Sequence, residues 1–118
     1  MDTTESILHI QQQADVHVVT FLRDVHNPEV IDQIQNQLRK LIEQAPSPRI
    51  VINFEKLRYV GSNFLGMIMA MAMQATHKKG QVRVCNMSAE VRDLFALTRL
   101  DSIVPVLPSL DEALASFN

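Results

Sequence analysis

Apolar positions along the chain change their period several times, and each change marks an element. Ser6 to Gln12 alternates in part, and Val16-His17-Val18-Val19-Thr20-Phe21-Leu22 is β-branched. With only the polar break Gln13 to Asp15 between them, the two predict a strand hairpin. The period then lengthens. Asn27-Pro28 suits a helix start, because Asn caps free N–H groups and Pro tolerates the first helical position. Val30, Ile31, Ile34, Leu38, Leu41 and Ile42 follow at helical spacing to about Gln44, with Gln33, Gln35, Asn36, Gln37, Arg39 and Lys40 opposite them. Pro46-Ser47-Pro48 stops that helix. Ile50-Val51-Ile52-Asn53-Phe54 is a short apolar run, the pattern of a strand covered on both faces. A helix from about Ser62 to Lys78 comes next, with Lys78 and Lys79 at its negative end and Gly80 as its stop. Gln81 to Cys85 predicts a strand, and Ser88 caps a helix carrying Val91, Leu94, Phe95 and Leu97. Ile103 to Leu107 predicts a last strand, confined to a sheet edge by Pro105. Ser109 to Glu112 is a capping box that opens a terminal helix with Ala113 and Leu114. The order ββαβαβαβα predicts an α/β fold: a mixed, mostly parallel sheet of about five strands with four helices.

The helix beginning near Ser62 departs from the usual amphipathic pattern. Phe64 to Met73 is ten consecutive residues without a polar side chain, whereas a helix lying on a sheet needs only one apolar face. At about 100° per residue, Met67, Ile68, Met71 and Ala75 share the side expected to meet the core. Met69 and Met73 fall roughly opposite, alongside Gly66 and Ser62. Two readings of this second apolar face stand open. Its own fold covers it, or a partner docks on it, in which case methionine supplies an adaptable surface and Gly66 permits close approach. Ser62 likewise has two readings: an N-cap, or a phosphoacceptor whose roughly −1.5 to −2 added charges would spoil an apolar docking face.

Composition narrows the function classes. The chain has 118 residues, enough for one domain (1–118), at 47% hydrophobic and 20% charged. A formal charge of -2 speaks against nucleic-acid binding, which needs a basic excess. No stretch approaches the roughly 20 apolar residues of a membrane span, and Met1 to Glu5 does not read as a secretory signal, so a cytoplasmic location is expected. One cysteine, Cys85, excludes an internal disulfide and a thiolate zinc site. No cofactor is expected, since no phosphate-cradling glycine motif occurs.

Val51-Ile52-Asn53-Phe54, followed by Leu57-Arg58-Tyr59-Val60-Gly61-Ser62-Asn63-Phe64-Leu65-Gly66, resembles the central motif of the STAS domain, named for sulfate transporters and anti-sigma factor antagonists. The resemblance continues through Val82 to Asn86, Met87 to Phe95, Leu100, and the helix start from Ser109 to Leu114. It implies a regulatory binding module, not an enzyme, that docks an anti-sigma factor acting also as a serine kinase. Phosphate on the serine matched by Ser62 would abolish docking, and a cognate phosphatase would restore it. The implied docking residues are Gly61, Ser62, Asn63, Gly66, Met69 and Met73. Three positions depart from the family pattern: Gly61 replaces an aspartate, Asn63 a small residue, and Phe64 a glycine, which would add bulk at the mouth of the docking helix. The alternative implied by Gly61 is a non-phosphorylated STAS subunit of a larger assembly, such as a transporter or signalling complex. A homodimer through the methionine face is a further option, and direct membrane insertion is not expected.

Other reactive residues lack company. His9, His17, His26 and His77 show no paired metal-ligand spacing, although His9 and His17 fall on neighbouring predicted strands. Cys85 has no activating neighbour in sequence. Asp24 and Glu55 are not placed together by any pattern. A small α/β enzyme or nucleotide binder therefore has little to stand on.

Overall fold

The computed structural model describes residues 7–117. Leu8–Gln13 (β1) and Val16–Phe21 (β2) form the hairpin, and Pro28–Gln44 is α1. Then come Arg49–Asn53 (β3), Ser62–His77 (α2), Gln81–Cys85 (β4), Ala89–Leu97 (α3), a 3-10 turn at Leu100–Ser102, Val106–Leu107 (β5) and Leu110–Ala115 (α4). The sheet order is β1-β2-β3-β4-β5. β1 and β2 are antiparallel, and the three remaining pairs are parallel. This is the α/β architecture expected from the element order.

Alternation along the strands divides the side chains between two unequal layers. Val19, Phe21, Ile50, Ile52, Val82 and Val84 face the main core with the buried sides of α1, α2 and α3. Val16, Val51 and Cys85 point the other way, onto Ala113 and Phe117 at the C-terminal end. β3 is thus covered on both faces, as its unbroken apolar run requires.

The helix ends show local chemistry. Asn27 accepts a hydrogen bond from the Glu29 N–H at 2.8 Å and caps α1, with Pro28 in the first turn. Ser88 and Ser109 cap α3 and α4 through the Val91 and Glu112 N–H groups. Lys78 caps the C-terminal end of α2, where it was expected, and its Nζ also donates to the Ile42 and Glu43 carbonyls at the open end of α1. The stop after α2 also differs from expectation. The left-handed residue is Lys79 (φ 62), and no glycine has positive φ. The Gly80 N–H reaches the Ala75 carbonyl at 2.7 Å, and that of Lys79 reaches Thr76 at 2.9 Å, a Schellman closure. Gly80 is required for proximity instead: a Cβ there would lie 2.2 Å from the Pro48 carbonyl oxygen.

Two strand expectations shift. The first runs from Leu8 to Gln13, and Ser6 lies outside the described residues. The last shrinks to Val106–Leu107, because Pro105 has no N–H to give and the preceding turn diverts Ile103 outward. Pro105 still joins the edge through its carbonyl, which accepts from the Val84 N–H at 3.0 Å.

Candidate functional site

The candidate face begins where β3 hands over to α2, at the carboxyl end of the parallel strands. Asn53, the buried polar residue closing β3, accepts from the Glu55 N–H at 3.0 Å and from Asn86 Nδ2 at 3.1 Å, which sets the turn. Leu57 and Val60 then bury, while Tyr59 between them is 68% exposed, its ring edge-on to His26 at 5.7 Å. Beside this loop lies a cavity of ≈ 240 Å³ lined by Arg58, Tyr59, Val60, Glu90, Val91 and Leu94.

Ser62 is not the N-cap. Gly61 holds that position with φ -102 and ψ 179, and its carbonyl accepts the first helical bond from the Leu65 N–H at 3.1 Å. The chain stays extended through Gly61, so Ser62 becomes the first helical residue. Its hydroxyl is exposed and forms no hydrogen bond among the described residues. The cap itself has no side chain, and the first turn of α2 carries no acidic residue, so the helix supplies no carboxylate of its own to offset the positive end of its dipole. An ideal Cβ at Gly61 meets nothing within 4 Å, and its backbone conformation is open to any residue. Neither space nor strain explains the glycine.

Along α2 the two faces separate. Phe64, Met67, Ile68, Met71, Ala72 and Ala75 are buried, and these include the four residues expected to meet the core. Ser62, Gly66, Met69 and Met73 recur at intervals of four, three and four on the opposite side, all exposed, Met69 at 36% and Met73 at 63%. Asn63 is exposed beside them, and Gly61 is partly covered. The stripe is continued by Ile103, which with Met73, Thr76 and His77 lines a shallow groove of ≈ 340 Å³. Ile103 was expected in a strand; its exposure was hidden because the turn that expels it depends on the packing of Leu100 and Val104 beneath it. Leu97, expected with the apolar side of α3, is 80% exposed.

Phe64 corrects a further expectation. It does not crowd the mouth of the helix but is 1% exposed, edge-on to Phe21 at 5.0 Å and Phe54 at 6.0 Å, with Phe95 beyond at 5.8 Å from Phe54. The glycine-to-phenylalanine departure is a core anchor for the start of α2, not an obstacle on its surface.

The remaining reactive groups stay apart. In the β1–β2 register His9 faces Thr20 and His17 faces Gln12, so the two histidines do not meet. Asp24 pairs with no carboxylate; its Oδ1 accepts from the Arg58 and Tyr59 N–H groups. Cys85 is fully buried, and burial, with a smaller contribution from Glu55, pushes its thiol up to about 11. Such a thiol is a poor nucleophile near neutral pH. Among the described residues no group of three or more His, Cys, Asp or Glu is placed to hold a metal ion, and no helix is long and apolar enough to cross a membrane.

A family model described as "Mlab, STAS domain" matches residues 9–107. BtrV of Bordetella bronchiseptica, assigned by name to the anti-sigma factor antagonists, is 26% identical over 103 residues, 87% of this chain and 88% of its own length. Among solved structures, an anti-sigma-factor antagonist (STAS) domain protein from Planctomyces limnophilus matches with a TM-score of 0.83 at 20% identity, over 92% of this chain and 96% of its own. The Bacillus cell fate determinant SpoIIAA in its phosphorylated form matches with a TM-score of 0.71 at 18% identity, over 94% of this chain and 99% of its own. At these identities the solved structures speak to the fold alone.

Proposed function

Because the chain belongs to the STAS-domain family, we propose that it is a non-catalytic docking module of the anti-sigma factor antagonist kind, working in the cytoplasm. It binds an anti-sigma factor with serine kinase activity through the exposed stripe of α2, and a phosphate on Ser62 ends that binding. The carrying observation is the stripe itself: an apolar surface at Gly66, Met69 and Met73 that starts at an exposed, unpaired hydroxyl. Burying such side chains against a partner is favourable at about 25 cal/mol per Å² of apolar surface. A phosphate at the first helical position would sit comfortably beside the free N–H groups of α2 while the module stands alone. Docking would then have to strip water from a dianion, so one modification blocks binding without refolding the domain.

The reading is supported by the family membership, by BtrV, named as an anti-sigma factor antagonist, and by SpoIIAA, a protein of this fold described in a phosphorylated form. The test is capture from native-host lysate with wild type, Ser62→Glu and Met69→Asp, followed by mass spectrometry. The expected result is a kinase-type anti-sigma factor retained by wild type and lost by both variants. Equal retention by all three overturns the docking face.

A second reading is favoured by Gly61. The family aspartate is absent from a position that could sterically hold it, so a kinase meets no carboxylate beside the acceptor. On this reading the same stripe binds permanently within a larger assembly, and Ser62 stays unmodified. Intact-mass measurement of the chain purified from its host separates the two: a phosphate localised to Ser62 supports the switch, and an unmodified chain co-purifying with stable partners supports the subunit.

A further inference from the structure

The segment from Glu55 to Gly61 carries the chain from β3 into the first turn of α2. Its first half is held by its own neighbours, the Glu55 N–H on Asn53 Oδ1 and the Leu57 N–H on the Phe54 carbonyl at 2.9 Å. Its second half is tied to a different loop. Asp24, between β2 and α1, accepts two backbone hydrogen bonds on one carboxylate oxygen, from the Arg58 N–H at 2.9 Å and the Tyr59 N–H at 3.2 Å. Among the described residues, these are the hydrogen bonds that join Arg58 to Val60 to the rest of the fold. Two residues after Tyr59 comes Gly61, a cap without a side chain.

We propose that Asp24 is a positioning residue for the Ser62 end of α2. A helix start lacking a side-chain cap frays readily, because its first N–H groups have no partner and the first turn is the costly one to form. Here the restraint that a cap would supply comes from upstream. A carboxylate gripping two consecutive N–H groups by charge-assisted bonds fixes the loop between the buried anchors Leu57 and Val60. It thereby sets where Gly61 and Ser62 emerge, and it fixes the backbone of Tyr59, whose ring meets His26 edge-on. Asp24 also lies three residues before Asn27, the cap of α1, so one short loop sets the entry of both helices. The bearing of this role on docking rests on the reading above; the measurements that test it need no partner, so one can fail without the other.

The test uses the full chain labelled with ¹⁵N, with Asp24→Ala and Asp24→Asn. In Asp24→Ala the Arg58 and Tyr59 amides should exchange about tenfold faster or more, as expected of a local opening, while Ile52 and Val84 in the central strands keep their rates. Asp24→Asn, whose carboxamide oxygen can accept the same two bonds, should restore most of the protection. Alkylation by iodoacetamide reads the site itself. In a Ser62→Cys background the introduced thiol gains reactivity from the helix N-terminus, and native Cys85 stays silent because it is buried. Alkylation should be about threefold slower with Asp24→Ala than with Asp24→Asn, since both remove the carboxylate charge and only the alanine lets the first turn fray and stabilise a thiolate less. Unchanged exchange at Arg58 and Tyr59, or equal alkylation in the two variants, overturns the proposal. So does a rise in exchange that is equally large at Ile52 and Val84, which would make Asp24 a general stabiliser of the fold.

Discussion

Phe64 and Ser62 are two residues apart on α2 and do opposite things. Phe64 turns inward onto Phe21 and Phe54 and is 1% exposed, so truncating it leaves a cavity where α2 starts. Phe64→Ala should lower the free energy of unfolding by about 3–5 kcal/mol, measured by urea denaturation; a loss below about 1 kcal/mol would refute the anchoring role. Ser62 is exposed and, among the described residues, its hydroxyl has no hydrogen bond to lose, so its replacement should leave stability within about 0.5 kcal/mol of wild type. Cys85 makes a pH prediction. Its folded thiol is raised from 9.0 to about 11, by burial first and by Glu55 second. On raising the pH the unfolded thiol ionises first and the folded one stays protonated. The unfolded state is then favoured, and stability falls between about pH 9 and 11. Below that window the contribution is fully present. Cys85→Ala should show a shallower decline over that range than wild type; identical profiles would mean that the buried thiol plays no part.

At the scale of elements, α2 serves the core with one side and leaves the other to solvent. The difference can be measured with one substitution at two positions. Met73→Asp, on the exposed stripe, should change stability by less than about 0.5 kcal/mol. Met71→Asp, at 2% exposure, places a carboxylate in the main core without a partner and should unfold the domain or cost several kcal/mol. Thermal denaturation of both variants decides it, and comparable melting points would mean that the two faces are not distinct. The helix ends follow the same local logic. Asn27, Ser88 and Ser109 each accept the N–H bond their positions offer, whereas α1 finishes against Lys78 from another helix. No periodicity in α1 could have announced that partner, because it lies more than thirty residues ahead and reaches α1 only after α2 has packed.

For the molecule as a whole, the sheet is covered unequally. Three helices bury one face, and the other is closed over Val16, Val51 and Cys85 by the short α4 and Phe117. Arg83 lies over the Phe117 ring at 4.8 Å and donates to Ser116 Oγ at 3.0 Å, and Arg49 stands 6.0 Å from the same ring. A six-residue helix is too short to be stable alone and depends on this docking. Phe117→Ala should therefore raise the rate of Cys85 alkylation in native buffer about tenfold or more, with a weak urea dependence that marks a small opening. A rate that tracks global unfolding would show α4 to be part of the main cooperative unit.

The sequence by itself determined the element order, the edge position of the last strand, the three polar caps and the core side of α2. These depend on local period and on hydrogen-bonding groups within four residues of each other, which no distant contact has to supply. It also determined that a second apolar stripe exists on α2, since angular position on a helix follows from spacing alone. Tertiary structure decided which stripe meets water, because that depends on which elements arrive to cover it. It turned Phe64 inward, because the rings of Phe21 and Phe54 were waiting there. It moved the cap from Ser62 to Gly61 through an extended approach held from Asp24, and it exposed Ile103 and Leu97, which periodicity alone assigns to buried elements. Each of these outcomes rests on contacts between residues far apart in the chain, and such contacts exist only once the sheet has assembled.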